Sequence, residues 1–131
     1  MQERIKISDK LSVPRVLIGL WQIADMEKDG KTLDPNVTSK YMNSYADNGF
    51  TSFDMADHYG SSEIIAGVFK KNYQNNSDIN LFTKWVPTPG KIDRKLTKDA
   101  VLKSLSRMNQ SQIDLMQFHA CLLYTSPSPR D

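Results

Sequence analysis

Thr51-Ser-Phe-Asp-Met-Ala56 is a short apolar run, and Asp57-His-Tyr-Gly60 and then Ser61-Ser-Glu-Ile-Ile-Ala-Gly-Val-Phe69 follow it directly. An apolar run, a polar turn and a stretch with apolar residues at helical spacing read, in that order, as one strand-loop-helix unit. The pattern recurs along the chain. Arg15-Val-Leu-Ile-Gly-Leu20, Ile79-Asn-Leu-Phe-Thr-Lys-Trp-Val86 and Gln112-Ile-Asp-Leu-Met-Gln-Phe-His-Ala120 are also strand-like, with helix-periodic sequence between them. Such alternation predicts parallel βα units. Asp54, Tyr59, Lys84 and His119 fall at, or just past, the ends of these runs. Working residues of parallel βα folds gather at the C-terminal ends of the strands. A carboxylate, a phenol, an ammonium and an imidazole at that address therefore read as one catalytic rim. Each alone is weak, since a single histidine beside a strand is more often a packing residue; order and placement carry the weight.

Outward from these runs, Ile5, Ile7, Leu11 and Val13 alternate on either side of Ser8-Asp9-Lys10 and predict a short hairpin that caps the bottom of the sheet. Asp25 to Lys31 is polar and turn-rich. Asp34-Pro35-Asn36 supplies a cap and an N-terminal proline for a first helix, with Val37, Tyr41, Tyr45, Met42 and Ala46 as its apolar face and Asn48-Gly49 as its end. The second helix is expected to start at Ser61-Ser62-Glu63 and to bury Ile64, Ile65, Val68 and Phe69. Thr97 is expected to cap a third, whose apolar stripe is Val101, Leu102, Leu105 and Met108. Those stripes are core rather than cofactor contacts. Pro87-Thr-Pro-Gly90 marks a long loop after the third strand.

At 131 residues, with 39% hydrophobic and 24% charged side chains, the chain has the length and composition of one soluble globular domain. A net charge of +2, from scattered basic residues, gives no footprint for nucleic acid or a membrane surface. The N-terminus has no apolar leader segment and no run reaches the roughly 20 apolar residues of a membrane helix, so a cytoplasmic location is expected. One cysteine, Cys121, excludes an intrachain disulfide, and two histidines are too few for a zinc constellation. The oligomeric state is not legible here.

Cys121-Leu-Leu-Tyr-Thr-Ser-Pro-Ser-Pro-Arg-Asp131 breaks the pattern where a loop and helix are due. Read back into codons, it resembles an in-frame translation of the transposase-end adapter of sequencing libraries. Residues 121–131 are therefore expected to be a non-native tail, and residues 1–120 the native domain. A Pro/Ser-rich linker is the alternative.

Gly49-Phe-Thr-Ser-Phe-Asp54-Met-Ala-Asp-His-Tyr59-Gly-Ser-Ser-Glu63 closely resembles the aldo-keto reductase signature, in which a strand ends in Asp and Tyr-Gly-x-Ser-Glu follows. Thr83-Lys84-Trp85 is similar to the family's strand-three lysine, Ile113-Asp-Leu-Met-Gln-Phe-His119 to its strand-four histidine motif, and Gly19-Leu20-Trp21 to its first strand end. Met55 departs from a frequent threonine. The resemblance implies an α/β fold, the N-terminal part of a (β/α)8 TIM barrel with about four parallel βα units after the hairpin. It implies reduction of a small aldehyde or ketone with NADPH, with Asp54, Tyr59, Lys84 and His119 catalytic and with Trp21 and Asp54 at the cofactor. The cofactor's phosphate contacts lie mainly in the family's second half, so the 131 residues are expected to be an inactive fragment of an active parent. The alternative on the same fold is a non-catalytic binding subunit, as in potassium-channel β subunits.

The residue types suit that chemistry. Hydride addition to a carbonyl needs a proton for the developing alkoxide, and a phenol, with pKa about 10, is a reluctant donor near neutral pH. An ammonium about 4 Å from a phenol oxygen stabilises the phenolate by roughly 4 kcal/mol at an effective dielectric of about 20. On this reading Tyr59 is the acid, Lys84 supplies the charge, Asp54 orients Lys84, and His119 hydrogen-bonds the carbonyl oxygen. The purely structural alternative is an Asp54–Lys84 ion pair joining two strands, with Tyr59 packed over it. Trp21 and Trp85 are candidate pocket walls, His58 reads as loop surface, and the absence of Gly-x-Gly-x-x-Gly argues against a Rossmann-type cofactor site.

Overall fold

Alternating Ile5, Ile7, Leu11 and Val13 do form an antiparallel hairpin, β1 (Arg4–Ser8) with β2 (Leu11–Pro14). The computed structural model describes residues 3–24 and 33–119; the turn-rich Asp25 to Lys31 segment and the 121–131 tail with Cys121 lie outside the described residues. Of the four alternating apolar side chains only Val13 is buried, and Ile5 and Ile7 are about half exposed. Arg4 ties the hairpin down, its Nη1 donating to Thr51 Oγ1 at 3.3 Å. Thr51 immediately precedes a sheet strand, so the hairpin touches the N-terminal end of the sheet, opposite the rim described below.

The main sheet contains β3 (Ile18–Gly19), β4 (Ser52–Asp54), β5 (Asn80–Trp85) and β6 (Leu115–Phe118), all parallel and in sequential order. These ladders are shorter than the apolar runs. Arg15 shows why for the first: its N–H bonds to Glu3 O at 3.1 Å and its guanidinium to Glu3 Oε2 at 2.9 Å, so the start of that run belongs to the hairpin. Past the ladder ends the strands stay joined, by Leu20 N–H to Asp54 O, Met55 N–H to Phe82 O, Asp57 N–H to Lys84 O and His119 N–H to Trp85 O, each 2.8 to 2.9 Å.

Helices α1 (Pro35–Thr38), α2 (Tyr41–Asp47), α3 (Ser62–Asn72) and α4 (Arg94–Met108) connect and cover the strands. The expected first helix starts as read, with Asp34 accepting from Asn36 N–H at 2.8 Å and Pro35 at its first position, but it breaks into α1 and α2 at Ser39 and Lys40. Two of its expected apolar positions, Met42 and Ala46, are buried and three are not. Thr38, Met42 and Ala46 face the core, whereas Val37, Tyr41 and Tyr45 are exposed. Short side chains at 38 and 46 admit a closer approach to the sheet than two tyrosines would.

In α3 the buried set is Ile65, Ala66, Gly67 and Phe69, with Val68 half buried and Ile64 exposed. No side chain caps this helix, and Ser62 Oγ instead donates to Ala56 O at 3.4 Å. Glu63, expected as a first-turn acid, is fully buried and accepts from Thr83 Oγ1 at 2.6 Å. The cap of α4 is Asp93 rather than Thr97, with Asp93 Oδ1 accepting from Leu96 N–H at 2.8 Å; the Thr97 hydroxyl turns back to Asp93 O. Leu102 is exposed, and the buried positions of α4 are Ser104 and Met108. Asn109 ends the helix with φ of 50°, a left-handed conformation that asparagine tolerates. Asp93→Ala should cost about 1 kcal/mol, read as a lowered midpoint of thermal unfolding followed by circular dichroism; an unchanged midpoint would refute the cap.

The core lies between sheet and helices and includes Leu20, Met42, Phe53, Met55, Ile65, Phe69, Leu81 and Met108. Phe53 and Phe69 meet edge-on with ring centroids 5.1 Å apart, and burial of each ring contributes roughly 2 to 3 kcal/mol. Successive strand residues point to opposite faces. Phe53 thus anchors β4 against the helices while Asp54 turns to the other face. No helix among the described residues is long and apolar enough to cross a membrane.

Candidate active site

Parallel pairing sets Asp54 opposite Phe82, and Lys84, two residues further along β5, shares the face of Phe82. The ammonium therefore reaches back across the strand ends. Lys84 Nζ donates to Asp54 Oδ2 at 2.6 Å and to Met55 O at 2.8 Å. Its side chain is 9% exposed and that of Asp54 29%. Removing a cation from water costs several kcal/mol, which a short carboxylate bond and a carbonyl together offset. Asp54 Oδ1 is buried and accepts no hydrogen bond among the described residues.

Tyr59 is delivered by a tight turn in which its N–H bonds to Ala56 O at 3.1 Å and Ser62 N–H bonds to Tyr59 O at 2.9 Å. The ring comes to rest with Lys84 Nζ 5.1 Å from its centroid. Trp21, just past β3, packs edge-on to Tyr59 at 4.8 Å and 89° while keeping 41% of its surface exposed. Asp54, Lys84, Tyr59 and Trp21 thus form one contact cluster at the strand ends.

His119 follows β6 on the same side, its N–H held by Trp85 O. Its exposed ring lies nearly parallel to that of His58, at 6.4 Å between centroids and 18° between planes. His58 is solvent-exposed, as expected of loop surface, but it is also held in place. Asp57 Oδ1 sits 3.0 Å from its Nδ1, and its ring meets Tyr59 at 4.9 Å. It therefore stands between Tyr59 and His119, and its place directly before Tyr59 in a short turn is the sequence signal that points there. Trp85 departs from the expected pocket wall. It is buried, packs on Phe118 at 5.6 Å, and borders a cavity of about 290 Å³ between the end of β5 and α4. None of the four rim residues lines that cavity. Among the described residues, no group of three histidine, cysteine or acidic side chains is placed to hold a metal.

Residues 15–127 match the profile of the Aldo/keto reductase family. The chain belongs to the aldo/keto reductase family. It is 30% identical over 132 aligned residues to the 6-dehydroglucose reductase of Agrobacterium fabrum, an alignment that takes in 89% of this chain and 43% of that protein. Among solved structures, a holo aldo-keto reductase from Bacillus halodurans superposes with a TM-score of 0.73 at 23% identity, over 96% of this chain and 43% of the other. An aldo-keto reductase from Klebsiella pneumoniae in complex with NADPH gives 0.70 at 17%, over 91% and 39%. The chain spans less than half the length of each of these proteins. The fold shared with these aldo-keto reductases makes the hairpin and the four parallel strands the N-terminal part of a (β/α)8 barrel.

Proposed function

We propose that the whole protein reduces an aldehyde or ketone to the alcohol with NADPH, using Tyr59 as proton donor. The observation that carries this reading is the cluster of Lys84 Nζ, bonded to Asp54 and lying beside the Tyr59 ring, at the C-terminal ends of adjacent parallel strands. Activity is assigned to the whole protein rather than to these 131 residues by themselves. Relatives named as a 6-dehydroglucose reductase and as a complex with NADPH support the reaction class and the cofactor.

The residues present suit the nicotinamide end of such a cofactor. Asp54 Oδ1 is a buried acceptor that takes no hydrogen bond among the described residues, and Trp21 offers a half-open aromatic surface beside Tyr59. NADPH, when bound, supplies the hydride, which no side chain can. The side chains supply the rest. Tyr59 gives its hydroxyl proton to the carbonyl oxygen as negative charge develops there. Lys84 places its ammonium beside the phenolate that remains, and Asp54 bonds that ammonium and aims it. His119 donates a ring N–H to the same carbonyl oxygen, fixing the substrate and sharing its charge.

Tyr59→Phe removes the proton and leaves the ring packing on Trp21. We expect kcat for aldehyde-dependent NADPH oxidation to fall by about 10²- to 10⁴-fold with unchanged thermal stability. A phenylalanine variant that turns over as fast as the parent would sink the assignment of Tyr59.

A further inference from the structure

The turn that carries Tyr59 is gripped from outside the barrel rim by a residue that belongs to none of the four motifs. Arg107, in the last turn of α4, donates from Nη1 to Asp57 O at 2.8 Å and from Nη2 to Gly60 O. Those two carbonyls flank His58 and Tyr59, and Gly60 has a left-handed φ of 45°, so the backbone reverses inside the guanidinium's span. The third face of the same group, Nε, lies 3.4 Å from Glu63 Oε2. Glu63 has no solvent exposure, and its other oxygen accepts from the Thr83 hydroxyl at 2.6 Å. Thr83, itself fully buried, is the residue before Lys84 on β5. One planar cation therefore joins the helix α4, the Tyr59 turn, the start of α3 and the strand that presents Lys84.

Each link has a physical reason to persist. A carboxylate without solvent needs a positive partner and a donor, and here Arg107 and Thr83 provide them. A guanidinium carries its donors in a rigid fork, so it fixes the separation of the two carbonyls it binds, which a single ammonium nitrogen cannot do. Lys84 and the Tyr59 turn sit on opposite sides of this link, and the distance between ammonium and phenol depends on it.

We infer that Arg107 is a positioning residue for Tyr59, setting the turn that carries the proton donor and locking it to the strand that carries Lys84. The inference rests on the reading of Tyr59 as proton donor. The variant that isolates it is Arg107→Lys, which keeps a charge for Glu63 and loses the fork. In the whole protein, kcat should fall by about 10- to 100-fold, the scale on which small misplacements of reacting groups act, while KM for NADPH stays within about twofold. Backbone amide exchange should quicken by about tenfold or more over residues 57–62 and stay unchanged in Leu81 to Lys84. Unchanged kcat, or exchange that rises evenly across both segments, would overturn the inference. Should Arg107→Lys fail to fold, the neutral pair Arg107→Met with Glu63→Gln removes both charges together, and the same local rise in exchange is expected of it. If Tyr59→Phe turns over like the parent, the proton-donor reading falls alone. The exchange contrast then decides whether Arg107 holds the turn, a local rise supporting it and an even one overturning it.

Discussion

Lys84→Met should lower carbonyl turnover by about 10³-fold and thermodynamic stability by about 2 kcal/mol. Methionine nearly matches lysine in length and packing, so the change isolates the ammonium. Two bonds disappear, to Asp54 Oδ2 and to Met55 O. The catalytic loss follows from leaving phenolate at Tyr59 without a neighbouring positive charge. The stability loss follows from stranding a carboxylate whose other oxygen, Oδ1, is already buried with no hydrogen bond among the described residues. Breaking a fully buried pair costs about 3 to 5 kcal/mol, and the 29% exposure of the Asp54 side chain lets water recover part of it. Adding Asp54→Asn to Lys84→Met should restore much of the stability and none of the turnover, a coupling that a double-mutant cycle by chemical denaturation and steady-state kinetics reads directly. Turnover of Lys84→Met within twofold of the parent would show that the ammonium only joins two strands.

Gly67→Ala should destabilise the protein by about 2 kcal/mol or more, despite alanine being the better helix former by roughly 1 kcal/mol. The reason is the crossing of α3 and α4. A Cβ built on Gly67 would lie 2.1 Å from Met108 O and 2.6 Å from Met108 C. Both are backbone atoms at the end of α4, so no side chain can swing aside. Relief requires the two helices to part, and that exposes Met108, now fully buried. For a chain of this size the midpoint of thermal unfolding should drop by roughly 6 to 10 °C. An equal or higher midpoint would mean that propensity outweighs the contact and that the helices do not pack this closely.

The rim was legible because it depends on alternation and order. Strand-like runs separated by helical spacing place Asp54, Lys84 and His119 at the ends of parallel strands whatever the detailed packing, and Tyr59 follows in the turn after Asp54. Helix faces were less legible. Of the expected face Val37, Tyr41, Tyr45, Met42 and Ala46, only Met42 and Ala46 are buried and Thr38 joins them, while the two tyrosines keep their polar tips in water. In α4 likewise Leu102 of the expected stripe is exposed, Met108 is buried, and Ser104 is buried outside it. Asp93 outcompetes Thr97 as a cap because its carboxylate reaches Leu96 N–H one turn earlier. Arg107 was invisible for a different reason: beside Glu63, its partners are backbone carbonyls 47 and 50 residues away, which carry no side-chain signature.

The backbone bonds that join neighbouring strands beyond the ladder ends bear on how the site meets its substrate. Leu20, Asp57 and His119 each donate to a carbonyl at or beside the end of an adjacent strand, and Met55 donates to Phe82 O within β5. The main chain around Asp54, Lys84 and His119 is thus part of the sheet's own cooperative unit, and local opening there would have to break the sheet. On the proposed function, binding would find the strand ends that carry Asp54 and Lys84 already in order, and little of its free energy would be lost to assembling them. On that same proposal, selectivity for one carbonyl compound over another would fall to parts of the molecule that can vary without disturbing this frame.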